Sequence, residues 1–113
     1  MKKLEAIIQP FKLEEVKDAL AAIGVDGMTV SEVRGFERGR RGVALAWMND
    51  RFGADCVPRI KIEVVLRDSL VERATDIVVT TAKTGHVGDG KLFIVPVDEA
   101  IRIRTGELGK GAV

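Results

Sequence analysis

The densest chemistry in the chain lies in Thr84-Gly85-His86-Val87-Gly88-Asp89-Gly90-Lys91. Three glycines in six residues let main-chain N–H groups turn toward an anion, and Lys91 adds a positive charge. Gly85 to Lys91 also match the Gly-x-x-x-x-Gly-Lys spacing of a phosphate loop. Two features break that match. The next residue is Leu92, where the true motif has the Ser or Thr that holds magnesium, and the segment runs from a helix into a strand rather than from a strand into a helix. The physics of a phosphate cradle survives, and the nucleoside-triphosphatase inference does not. An ordinary glycine-rich turn would carry the same residues.

A second cluster is Ile101-Arg102-Ile103-Arg104-Thr105-Gly106. Extended backbone puts Arg102 and Arg104 on one face, about 7 Å apart. Guanidinium forks suit phosphate oxygens, and a solvated edge with two charges is the plainer account. The segment 36–57 holds Arg38, Arg40, Arg41, Trp47 and Arg51 among Gly39, Gly42 and Gly53. Connections above about 12–15 residues are functional or disordered in most domains, so this one is either a protruding docking probe or a solvated insertion. Metal candidates are weak. Asp50, Asp55 and Cys56 fall near one another and His86 is distant, and one Cys with one His cannot close a thiolate–imidazole site. Cys56 reads as a small hydrophobe and His86 as an exposed loop residue. No nucleophile–base set or carboxylate pair accompanies the glycine-rich loop, which points away from an enzyme.

The elements that must position these residues follow from hydrophobic period. Residues 2–8 alternate, with Leu4, Ala6 and Ile8 on one face of a strand. Leu13, Val16, Leu20 and Ile23 recur at helical spacing within 11–23, and Gly24 stops the run. Residues 27–35 form a second strand and 59–66 a third, with Ile60, Ile62 and Val64 facing one way. Ser69 and Glu72 have capping-box spacing, with Asp68 as the other candidate cap. Leu70, Ala74, Ile77, Val78 and Thr81 mark one face of a second helix as far as Gly85. Residues 91–97 are the last strand, apolar on both faces, with Pro96 suited to an edge. The expected fold is α+β: a βαββαβ sandwich with an antiparallel sheet, both helices on one face and the long loop between strands 2 and 3. One domain spans 1–113, with the loop at 36–57, the cradle at 84–91 and a C-terminal segment at 102–113. The doubly apolar last strand predicts self-association, unless the C-terminal tail covers it.

Composition bounds the partners. In 113 residues, Lys and Arg number 18 against 17 Asp and Glu, for a net charge of +1. That balance disfavours nucleic-acid or membrane-surface binding. Aromatics at 4% leave little for base stacking. A single Cys excludes an internal disulfide. No apolar run approaches the roughly 18 residues of a membrane span, and Leu4–Ile8 is too short for a signal peptide. A soluble cytoplasmic protein is the expectation.

The chain resembles the PII signal-transduction proteins (nitrogen regulatory protein P-II) over essentially its full length. The resemblance rests on Lys2 to Leu13, Gly27 to Phe36, Thr84 to Phe93 and Arg102 to Glu107, in that order. It implies a ferredoxin-like fold, a homotrimer, and ATP or ADP in clefts between subunits. Phosphates would sit on Gly88, Asp89, Gly90 and Lys91, with Arg102 and Arg104 reaching in. Thr29, Arg38 and Val65 would come from the neighbouring subunit, and Gly35, in the matched strand, would also contact the nucleotide. Residues 37–56 would correspond to the loop that grips a target such as a membrane transporter or metabolic enzyme.

Departures limit what carries over. Gly39 stands where 2-oxoglutarate-sensing members need a Gln to help hold magnesium. It has no side chain for that task, which counts against both ligands. Glu37 replaces a usual Gly, Arg59 a usual Lys, and the chain has no Tyr to modify. This divergence also resembles a side branch linked to heavy-metal efflux, the alternative to nitrogen regulation. An acylphosphatase-type enzyme would need an Arg-bearing loop after the first strand, where Gln9-Pro10-Phe11 stands. An RNA-binding sheet would need aromatics on its central strands, which lack them.

Overall fold

The computed structural model describes residues 1–36 and 56–113. Strands β1 (Lys2–Ile8), β2 (Thr29–Phe36), β3 (Cys56–Leu66) and β4 (Gly90–Pro96) form one sheet in the order β2-β3-β1-β4. Every pairing is antiparallel. Helices α1 (Leu13–Ala22) and α2 (Asp68–Ala82) complete the expected ferredoxin-like arrangement.

Period-2 patterning explains the layering. Leu4, Ala6 and Ile8 of β1 pair with Val64, Ile62 and Ile60 of β3, so all six share a face. That face packs against Val16 and Leu20 of α1 and Ala74, Val78 and Ala82 of α2 in one core. Both helices therefore cover the same side of the sheet.

The opposite side carries charge. Lys3 Nζ lies 3.1 Å from Glu63 and 3.9 Å from Glu5, while Lys61 Nζ lies 3.4 Å from Glu5 and 3.8 Å from Glu63. Alternating signs across β1 and β3 make a neutral, half-buried lattice. Its hydrogen bond with Glu63 raises the Lys3 pKa, and the same bond lowers that of Glu63. On β4, Phe93 and Val95 pair with Glu5 and Lys3 and so belong to this open face, where they are exposed. The two apolar faces of the last strand are thus divided: Leu92 packs against the core, and Phe93 and Val95 stand outside it.

Several boundaries differ from the sequence-based expectation. Strand β3 begins at Cys56, because Val57 and Pro58 pair with Gly35 and Arg34 despite the proline. The first helix opens with a 3-10 turn at Pro10–Lys12. No capping box forms on α2, whose N-cap is Arg67 without a side-chain cap. Asp68 instead meets the Met1 ammonium at 2.9 Å, which depresses its pKa.

The stretch around Arg102 is a turn rather than an extended strand. Ile101 bridges to Leu108, and Gly106, at φ +73°, donates its N–H to the Arg102 carbonyl at 2.7 Å. The left-handed glycine reverses the chain, so Arg102 and Arg104 do not share the face that extended backbone would give them.

Candidate functional site

The glycine-rich loop between α2 and β4 is built around its own carboxylate. Asp89 accepts hydrogen bonds from the Thr84 N–H at 2.8 Å, from the Gly85 N–H at 2.9 Å and from the Thr84 hydroxyl. These bonds, the Thr84 hydroxyl foremost, hold the Asp89 carboxyl below its usual pKa. Asp89 therefore staples the loop, and two of the amides that the sequence offers to an anion are already engaged. His86 is exposed, and its N–H is donated to the Thr84 hydroxyl oxygen at 3.2 Å.

Glycine is demanded where the loop meets the sheet. Gly85, Gly88 and Gly90 all have positive φ. A Cβ at Gly90 would lie 1.8 Å from the Ile7 carbonyl oxygen, which is backbone and cannot move aside. From the far side, Gln9 donates its side-chain amide to the Gly88 carbonyl at 2.7 Å. Lys91 pairs with Ile7 and so projects from the open face of the sheet, exposed. A hollow of about 120 Å³ lies behind the loop, against Val79 of α2 and Lys83 just past its end.

Gly35 lies at this same end of the sheet. Its partner Val57 is beyond the level of Ile60, which pairs with Ile8, which in turn pairs with Gly90. The Arg59 side chain crosses Gly35, with Cγ 3.6 Å from where a Cβ would stand.

Thr29, Val65 and Arg102 are brought together elsewhere. They line a cleft of about 1190 Å³ with Ile23, Asp26, Met28 and Lys3, at the end of the sheet where β2 begins. Lys3, the β1 residue at this cleft, is four positions from Ile7, the partner of Lys91. At about 3.3 Å per residue, the two levels are separated by roughly 13 Å. Within one chain Arg102 thus sits with Thr29 and Val65 and apart from the glycine loop. Arg102 also approaches Glu107 at 3.8 Å. Arg104 is exposed in the same hairpin.

Arg38, Arg40, Arg41, Trp47 and Arg51 lie outside the described residues, as do Glu37 and Gly39. Among the described residues no group of three or more His, Cys, Asp or Glu side chains could hold a metal ion, and no helix is long and apolar enough to cross a membrane.

The comparisons with known proteins agree with this architecture. The family model described as "Nitrogen regulatory protein P-II" matches residues 1–107. The chain belongs to the P-II family. It is 53% identical to the nitrogen regulatory protein P-II of Cereibacter sphaeroides and 51% identical to that of Azospirillum brasilense, each over the full length of both chains. Identity to the nitrogen regulatory protein P-II 1 of Escherichia coli (strain K12) is 46% over the same span. Membership makes this a signalling regulator in nitrogen control rather than an enzyme. Sequence reasoning found the loop and the family but not the bonds of the Asp89 carboxylate to Thr84 and Gly85. It did not single out Gln9, whose chemistry shows only once β1 and the loop are side by side.

Two outcomes follow for the loop. Gly90→Ala combines backbone overlap with a disfavoured φ, and it should destabilise the fold by about 3 kcal/mol or more in urea unfolding at fixed protein concentration; wild-type stability would refute the close approach. The depressed Asp89 pKa contributes stability that is present above the unfolded carboxylate pKa of about 4 and is lost as pH falls through the lower folded value. The melting temperature of Asp89→Asn should therefore lie below that of the wild type at neutral pH and converge with it in acid. Parallel profiles would show that the carboxylate carries no such linkage.

Proposed function

We propose that this chain is a homotrimeric sensor of ATP or ADP that acts in the cytoplasm and regulates a partner protein of nitrogen metabolism through the segment 37–55. The observation that carries this reading is the separation of two cationic groups across the sheet. The glycine loop with Lys91 and the cleft with Arg102 face opposite ends of β1. One small anionic ligand can meet both only where two copies adjoin. Head-to-tail contacts of that kind close into a ring where the rotation between copies permits, and the family resemblance supports a ring of three.

Each half suits part of a nucleotide. Main-chain amides at Gly88 and Gly90 and the ammonium of Lys91 suit a polyphosphate. Ile23, Met28 and Val65, beside the polar Asp26 and Thr29, suit a flat base with its ribose. Arg102 and Arg104 would extend from the second copy toward the phosphates. The exposed Phe93 and Val95 and the neutral charge lattice support burial of the open sheet face against other copies. Magnesium and 2-oxoglutarate stand outside the proposal, because Gly39 supplies no ligand atom. The shared nitrogen-regulator name of the relatives is the ground for placing the partner in nitrogen metabolism rather than at a heavy-metal efflux pump.

A nucleotide changes the partner's affinity only if it favours one arrangement of the protein over another. Arg38, two residues beyond β2, is the side chain by which bound phosphates would reach the partner-binding segment.

Titration calorimetry with ATP, ADP and AMP tests the reading. Heat of binding with ATP and ADP is expected. Lys91→Ala and Arg104→Ala should each weaken ATP by about tenfold or more, in line with the loss of a charge-assisted contact, and leave adenosine within about threefold. No heat with any nucleotide, or equal losses for ATP and adenosine, would overturn it.

A further inference from the structure

We infer that Gln9 is a positioning residue for the glycine loop, which aims the Asp89 main-chain N–H at the anion site. The inference rests on the nucleotide reading above and adds to it a residue outside the loop. Three constraints define the loop. Asp89 holds its first half by binding Thr84 and Gly85. Gly90 is pressed against the Ile7 carbonyl and fixes its end. Between them, the orientation of the Gly88–Asp89 peptide is set by the bond from Gln9 Nε2 to the Gly88 carbonyl at 2.7 Å. That peptide is trans, so its N–H points opposite to its C=O. A carbonyl drawn toward Gln9 sends the Asp89 N–H away from the end of β1.

Gln9 is itself a fixed donor. It follows Ile8, which pairs with Ile60 on one side and Gly90 on the other. It precedes Pro10, which confines it to extended backbone, seen at φ −65° and ψ 137°. Its own carbonyl accepts the Lys12 N–H at 3.0 Å. A half-buried side chain with its backbone held in this way can choose the direction of a neighbouring peptide at little entropic cost. Only an amide or another donor can serve here, because the atom it faces is a carbonyl oxygen.

Gln9→Met keeps the length without adding charge, and Gln9→Ala removes the reach altogether. With both variants and the wild type, affinity for ATP and for adenosine is measured by calorimetry, and the amide chemical shifts of Asp89 and Gly90 are measured by NMR on ligand-free protein. Both variants should lose about tenfold for ATP, the scale of one hydrogen-bonded group left unpaired or misdirected, with adenosine unchanged. The Asp89 amide chemical shift should move in both, because the Gly88–Asp89 peptide loses the bond that orients it. Unchanged ATP affinity in variants of a wild type that binds ATP overturns the positioning role, as does an unchanged Asp89 amide shift. A wild type that binds no ATP is a failure of the nucleotide reading instead. That failure is visible in the control titration, and it takes the anion-aiming role down with it.

Discussion

The length of β1 governs the molecule. This central strand is bonded to β3 on one side and β4 on the other along its seven residues. Its inward residues Leu4, Ala6 and Ile8 anchor the core. Its ends hold two different pieces of chemistry apart. At Ile7 and Ile8 the backbone of Gly90 closes in and presents Lys91; at Lys3 the cleft with Thr29, Val65 and Arg102 opens. A rigid, doubly paired strand cannot fold back to join them. The separation is what makes a functional role for association a physical argument and not only a family resemblance.

The glycine loop is held in shape by its own residues. Its carboxylate is engaged by Thr84 and Gly85, so an acidic residue in the middle of the glycine-rich loop acts as a scaffold. Positive φ at Gly85, Gly88 and Gly90 lets the chain make the turns that this staple requires. Preorganised donors of this kind need little rearrangement to receive a ligand.

Much of the fold was legible in the residues. Alternation in 2–8 and 59–66, and the helical period from Leu70 to Val78, place the core face correctly because burial on one side is what those periods encode. Local signals failed where a distant group intervened. Asp68 and Ser69 do not cap α2 because the helix already begins at Asp68 with Arg67 at the N-cap, and the Asp68 carboxylate meets the Met1 ammonium, a contact that sequence spacing cannot reveal. Pro58 hid the start of β3, although the ladder continues through it. The Arg102–Arg104 stretch read as extended until Gly106 turned it. Which of the candidate residues lie together within one chain was not legible. Which side chains share a cleft depends on strand register, and no local pattern states that Arg102 lies with Val65 and apart from Lys91.

The most direct measurement mixes two defective proteins. Lys91→Ala and Arg102→Ala are each expected to lose tight ATP binding as homo-oligomers. When they are unfolded together and refolded in equal amounts, random assembly into head-to-tail rings places an intact loop beside an intact cleft at about a quarter of the seams. Tight ATP binding should return at that stoichiometry. A mixture that binds no better than either parent would contradict a site shared between copies.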